Sequence, residues 1–268
     1  IPVFVDVDEE TLCLDIDLVE KSITSKTRAI MLVSSNGRYP KSDINNFQKL
    51  CQKNNLVLIE DAAQSLGSFY PDGRHIGTAG LVGSFSFSAP KIISTGQGGA
   101  VITDDDEVAK KLRKLKDFGR VGGGNDIHDS IGYNFKFTDI QAVIGIEQMK
   151  KLKWRVNRKK EILVRYKKNL ANLDNLSFFN QDLEHTTPWF IDVMVKNRDD
   201  LIEYLKARNI GSRAMYPPIH QQLAYNLSGD FPISSKVGKN GLWLPSEVQL
   251  EDTKIDYICN AIIDFYSK

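Results

Sequence analysis

Three short stretches of this chain hold residue types that can do chemistry together. Asp61-Ala62-Ala63-Gln64 closes an apolar run, Ser84-Phe85-Ser86-Phe87-Ser88-Ala89-Pro90-Lys91 sets an isolated lysine behind a strand-like segment, and Gly96-Gln97-Gly98-Gly99 supplies a glycine turn. A carboxylate, an amine, hydroxyls and a turn with free backbone N–H groups match what pyridoxal phosphate asks of a protein. Its ring nitrogen wants an acid, its aldehyde an amine, and its phosphate hydroxyl and N–H donors. The chain therefore reads as an enzyme.

A pyridinium nitrogen keeps its proton only beside an ionised carboxylate, and that proton makes the ring an electron sink. Asp61 is the candidate, although alone it would read as a helix N-cap or a strand-end turn residue. Gln64 suits the cofactor's phenolic oxygen or a plain surface amide. Lys91 would form the Schiff base and then shuttle a proton between substrate carbon and cofactor carbon. A lone lysine is ordinarily solvated, but Phe85-Ser86-Phe87 and Ala89-Pro90 place this one after a buried strand, where desolvation would depress its pKa. Ser86 would meet the phosphate, and Gly96, Gly98 and Gly99 serve equally as an ordinary hairpin turn.

Short apolar runs alternate with amphipathic segments, the pattern of an α/β fold with a parallel sheet. Ile1–Asp8, Ala29–Val33, Leu56–Ile59, Ser84–Ser88 and Ala100–Thr103 predict strands, and Ile44–Asn54 and Asp105–Asp117 predict helices. In such sheets ligands gather at the carboxyl ends of strands, where Asp61 and the residues after Phe87 would lie. Thr138-Asp139-Ile140-Gln141 is a capping box opening a helix to about Leu152, followed by a charged helix from Trp154 to about Leu173. Beyond it come a strand at Trp189–Val195 and helices at Arg198–Asn209 and Asp252–Tyr266. The predicted division is a large cofactor domain over residues 1–152 and a small C-terminal α/β domain over residues 153–268; the resemblance given below implies that the large domain lacks its N-terminal part.

Composition narrows the function without naming it. The chain has 268 residues, 41% of them hydrophobic, and 35 Lys and Arg against 34 Asp and Glu. A formal charge of +1 offers no electrostatic case for nucleic acid or an anionic membrane. Lys110-Lys111-Leu112-Arg113-Lys114 and Arg158-Lys159-Lys160 read as solvated helix faces. Cys13, Cys51 and Cys259 are too scattered for a disulfide framework or zinc site, which suits a cytoplasmic protein, and no metal site is expected. No run approaches the ~20 apolar residues of a membrane helix. A strand pattern at Ile1 without an initiating methionine reads as the start of a fragment.

The order and spacing of these motifs, with Thr95-Gly96-Gln97-Gly98-Gly99 and Gly132-Tyr133-Asn134-Phe135-Lys136-Phe137-Thr138-Asp139-Ile140-Gln141-Ala142, resemble the nucleotide-sugar aminotransferases of fold type I. Arg213, Tyr216-Pro217-Pro218-Ile219-His220 and Leu244-Pro245-Ser246 look like that family's substrate-lobe motifs. The resemblance implies a fold type I PLP-transferase: a mostly parallel central sheet with helices on both faces and a smaller C-terminal domain. It implies transfer of an amino group, usually from L-glutamate through pyridoxamine phosphate, to a keto sugar on a nucleotide diphosphate. Lys91 would carry the cofactor, Asp61 meet its ring nitrogen, Gln64 its phenolic oxygen and Ser86 its phosphate. Asn134 would reach the phosphate in the neighbouring subunit, so a homodimer with shared sites is implied. Arg213, Tyr216 and His220 would face the substrate. The late segments resemble enzymes aminating carbon 4 of a 4-keto-6-deoxy sugar, as perosamine synthases do, in deoxyamino sugar and lipopolysaccharide O-antigen synthesis.

Three departures stand out. Nothing before Ile1 supplies the family's Gly-Thr or Ser-Thr phosphate turn, Gln97 stands where many relatives have Glu, and Ser34-Ser35-Asn36-Gly37-Arg38 replaces a His-and-aromatic segment. The first keeps an alternative open: a truncated or degenerate homologue acting as a binding or partner module. The other two bear on substrate choice. Gly119 and Arg120 through Gly122-Gly123-Gly124 read as a mobile loop bordering the substrate or as a surface turn.

Overall fold

The computed structural model describes residues 1–122, 126–225 and 229–267. Asp15 caps α1 (Ile16–Ser22) by accepting from the N–H groups of Asp17 and Leu18, a helix too short for periodicity to announce. β1 (Ala29–Val33) alternates buried and exposed positions, and α2 (Ile44–Lys53), capped by Asp43, buries Ile44, Phe47, Leu50 and Cys51 against it. Each such side chain removed from water contributes about 1.5–3 kcal/mol. β2 (Val57–Asp61), β3 (Val82–Ser86) and β4 (Gly99–Ile102) complete a sheet of order β1-β2-β3-β4.

β1 and β2, and β2 and β3, pair in parallel, whereas β4 runs antiparallel to β3. The sheet is thus mixed, because Ser86 pairs with Gly99 and the intervening chain is a hairpin excursion, not a helical crossover. Lys91 sits in that excursion. Gly98 needs its freedom here: its φ is +146° and a Cβ would lie 2.5 Å from the Phe137 ring. On the sheet face away from α2, Met31, Val33 and Val57 are exposed. α3 (Asp106–Lys116) follows an Asp105 cap, and α4 (Asp139–Met149) begins at the Thr138–Gln141 capping box that the sequence predicts. In the run from Gly119, Gly123 and Gly124 lie outside the described residues.

α5 (Leu152–Asn169), β5 (Leu176–Phe178), β6 (Ile191–Val195), α6 (Arg198–Lys206), β7 (Arg213–Ala214), α7 (Pro232–Asn240), β8 (Gly241–Leu244) and α8 (Asp252–Tyr266) build a second unit. Its antiparallel sheet has the order β5-β6-β8-β7, and its core gathers Ile162, Tyr166, Val193, Leu205, Leu242 and Ile255, separate from the core around Phe47. Arg38 joins the two units through a buried bidentate pair with Asp192, at 2.8 and 2.6 Å.

The strand expected at Ile1–Asp8 does not form. Only Val7 makes a bridge, to Leu14, because Asp6 is drawn elsewhere. Its carboxylate accepts from the N–H groups of Ile233 and Ser234 and from the Ser234 hydroxyl, holding the first turn of α7, while Glu9 pairs with Lys236 on the same helix.

Candidate active site

β2 and β3 end side by side, with Asp61 opposite Ser84 in parallel register. Asp61 Oδ1 accepts from the Ala63 N–H at 3.0 Å, which fixes the carboxylate and leaves Oδ2 without a described partner. Three residues on, Gln64 Oε1 accepts from the Asn36 N–H at 2.6 Å. From the neighbouring strand, the Ser86 and Ser88 hydroxyls meet at 3.2 Å. Gln64, Ser86 and Lys91 line one narrow cleft with Thr187, Pro188 and Trp189.

The Lys91 amine rests 3.7 Å from the centre of the Trp189 ring, and Trp189 is fixed in turn by its Nε1–H donating to the Pro90 carbonyl at 2.7 Å. Burial pushes the Lys91 pKa below the ordinary lysine value, and the charge of Asp61 pulls it partly back. The two side chains feel one another without forming an ion pair. An amine biased toward its neutral, nucleophilic form beside a carboxylate, an amide and a hydroxyl is a set that fits pyridoxal phosphate.

Lys91 also borders a larger cavity of about 480 Å³, walled by Trp189, Phe190 and Trp243 and by Arg155, Lys159 and Arg213, with Glu247 the acidic side chain among its lining. Two guanidinium groups, Arg155 and Arg213, with the amines of Lys91 and Lys159, against one acid suit an anionic ligand. Of the sequence-predicted substrate residues, Arg213 lines this cavity, its guanidinium 5.5 Å from the Tyr216 and Trp243 rings. Tyr216 lines neither cavity; it stands edge-on to Trp243 at 4.6 Å and is half-exposed. His220 lines neither cavity; it stacks on Phe231 at 4.6 Å, and its Nε2 lies 3.2 Å from the Ser235 hydroxyl. Asn134 is exposed, bridged to Asp117, and likewise away from both cavities.

Lys159 corrects the reading of Arg158-Lys159-Lys160 as a solvated face. It is 6% exposed, donates to the Ser246 carbonyl and hydroxyl at 2.6 and 3.2 Å, and burial brings its pKa down to about 7. Its place was visible in the spacing, since Lys159 shares the helical stripe of Ile162, Leu163 and Tyr166. Arg155 was one turn earlier on that stripe. Asn36 lies in a segment marked by its departure from the family, but its hydrogen bonds, like the contact of Trp189 with Lys91, join residues too far apart in the chain for the sequence to announce them.

The model of the DegT/DnrJ/EryC1/StrS aminotransferase family matches residues 1–263. The chain belongs to this family. It is 35% identical over 270 residues to GDP-perosamine synthase of Escherichia coli O157:H7, covering 99% of this chain and 73% of the relative. The solved DegT DnrJ EryC1 StrS aminotransferase from Brucella abortus superposes with a TM-score of 0.91 at 30% identity, over 100% of this chain and 74% of that one. S. venezuelae DesV in complex with a ketimine intermediate gives 0.91 at 31% identity, over 100% and 72%. Family membership makes pyridoxal phosphate the cofactor and aminotransfer the reaction class, and fold type I PLP-transferase the fold.

Proposed function

We propose that this chain moves an amino group from L-glutamate to the keto group of a 4-keto-6-deoxy sugar carried on a nucleotide diphosphate, in the manner the perosamine synthase relatives are named for. One observation carries the reading: a desolvated Lys91 amine stands at the junction of a cleft holding Gln64 and Ser86 and a cation-lined cavity of about 480 Å³. When bound, the cofactor supplies the electron sink.

The residues then take these roles. Lys91 holds the cofactor and afterwards moves the proton at the reacting carbon, Asp61 keeps the ring nitrogen protonated, Gln64 donates to the phenolic oxygen and Ser86 to the phosphate. Arg213 meets the sugar or its diphosphate, with Tyr216 reaching it from behind Trp243. We further read residues 1–152 and 153–268 as the large and small domains, on the strength of their separate cores. A homodimer completes the site. Among α4 and its approach, Phe135, Ile140, Val143 and Ile146 are all exposed, an apolar surface suited to a second copy that would bring Asn134 to its neighbour's phosphate.

The test is product analysis by mass spectrometry over a panel of keto sugar nucleotides with glutamate, beside absorbance spectroscopy of the protein loaded with pyridoxal phosphate. The expected result is an amino sugar nucleotide made at the expense of glutamate. Lys91→Ala should lose both the lysine-linked absorbance band and at least about 10³-fold of the rate. A full set of unreacted sugars, or a band that survives in Lys91→Ala, ends the proposal.

A further inference from the structure

Asn36 lies in the stretch Ser34–Arg38, and its backbone is left-handed at φ +53°, a conformation that Asn tolerates better than most residues. It is 4% exposed and makes three hydrogen bonds in two directions. Its N–H donates to Gln64 Oε1 at 2.6 Å, its Nδ2 donates to the Phe190 carbonyl at 2.9 Å, and its Oδ1 accepts from the Phe190 N–H at 2.6 Å. The side-chain amide thus pairs with Phe190 as a neighbouring strand would, across the boundary between the two units.

A backbone N–H can only donate, so the Gln64 atom it meets is the carbonyl oxygen, and the orientation of that amide is fixed. Gln64 Nε2, which has no described partner, is then the face left for the cleft shared with Ser86 and Lys91. Phe190 in turn lies 4.2 Å from Trp189, ring to ring, and Trp189 carries the Lys91 amine. Gly37 permits the approach: with φ at +80°, a Cβ there would fall 2.2 Å from the Thr187 carbonyl.

We propose that Asn36 is a positioning residue that sets which face of the Gln64 amide meets the cofactor and ties that face to the Trp189–Phe190 wall beneath Lys91. This rests on the reading of Gln64 as the phenolic-oxygen donor. It gives the Ser34–Arg38 segment a role in holding the cofactor pocket instead of selecting the sugar.

The test is a pH titration of the visible absorbance of the pyridoxal phosphate-loaded protein in wild type, Asn36→Gly, Asn36→Asp, Gln64→Leu and Ser68→Ala. Asn36→Gly keeps the left-handed backbone but frees it from Phe190, and Asn36→Asp sets an oxygen against the Phe190 carbonyl. A phenolic oxygen that loses its amide donor holds the neighbouring proton more tightly. Both Asn36 variants should therefore move the midpoint upward, in the same direction as Gln64→Leu, and bind pyridoxal phosphate about five- to tenfold more weakly. Ser68→Ala removes a different contact between the units, the one made to the Thr187 N–H. It should leave the midpoint in place. Hydrogen exchange on the cofactor-free protein gives a second readout, with the Phe190 amide protected in wild type and exposed in Asn36→Gly. A midpoint unmoved in both Asn36 variants while Gln64→Leu moves it, or one moved equally by Ser68→Ala, overturns the positioning role alone. If Gln64→Leu leaves the midpoint unmoved, the phenolic-oxygen reading itself falls, and the role of Asn36 with it.

Discussion

Lys159 shows how much one buried amine can impose on the pH behaviour of the protein. Burial takes its pKa from an ordinary 10.5 to about 7 in the folded chain. Between those values the unfolded chain binds a proton that the folded chain does not, so stability rises as pH climbs through this window, and the burial penalty is fully present below it. Lys91, shifted in the same direction, adds to the trend. Unfolding midpoints measured from about pH 7 to about pH 10 should rise in wild type and rise less in Lys159→Met, the slope difference approaching at most ~1.4 kcal/mol per pH unit. Equal slopes would show that Lys159 is solvated after all. At this scale the sequence was legible where chemistry depends on short motifs: Gln64, Ser86 and Lys91 line one cleft, and Asp61, which lines neither cavity, reaches Lys91 through its charge. It was less legible where a run of like residues hides which one turns inward. Arg158, Lys159 and Lys160 look alike in a string, and only the stripe of Ile162, Leu163 and Tyr166 separates them.

Among the elements, α4 is the one whose composition and surroundings disagree. Ile140 is 77% exposed, Val143 62% and Ile146 60%, and none of its residues is buried. A helix so apolar gains little by facing water, and with a partner each of these side chains could contribute about 1.5–3 kcal/mol. Sedimentation velocity should find that Ile140→Asp with Val143→Asp raises the dimer dissociation constant at least tenfold while the melting profile of the monomer is retained. A wild-type protein that stays monomeric at high concentration contradicts the proposed dimer. The helix itself was readable from its capping box, but its burial was not, because periodicity reports which faces are apolar and not what they touch. The same limit explains Ile1–Asp8. An alternating apolar pattern asks for a strand, yet strands exist only in pairs, and here Asp6 finds better partners at the start of α7.

For the molecule as a whole, the Arg38–Asp192 pair is a charged tie between the two units, buried on both sides and supported by Arg38 Nε donating to the Asn180 carbonyl at 2.8 Å. Removing one partner strands a buried charge. Arg38→Ala should therefore cost about 3–5 kcal/mol in urea unfolding, whereas Arg38→Met with Asp192→Leu should stay much nearer to wild type. Similar losses in both would mean that shape, not charge, governs this contact. Neither partner could be matched to the other from sequence, since 153 residues separate them and nothing local marks the pairing. Asp6 poses the same separation as a problem of timing. Its partners on α7 emerge from the ribosome 227 residues later, so at about 5–20 residues per second the segment around Asp6 waits roughly ten to fifty seconds for the helix it must hold. Until then its apolar residues stand without that partner, and forming the contact carries the closure entropy of a 227-residue loop.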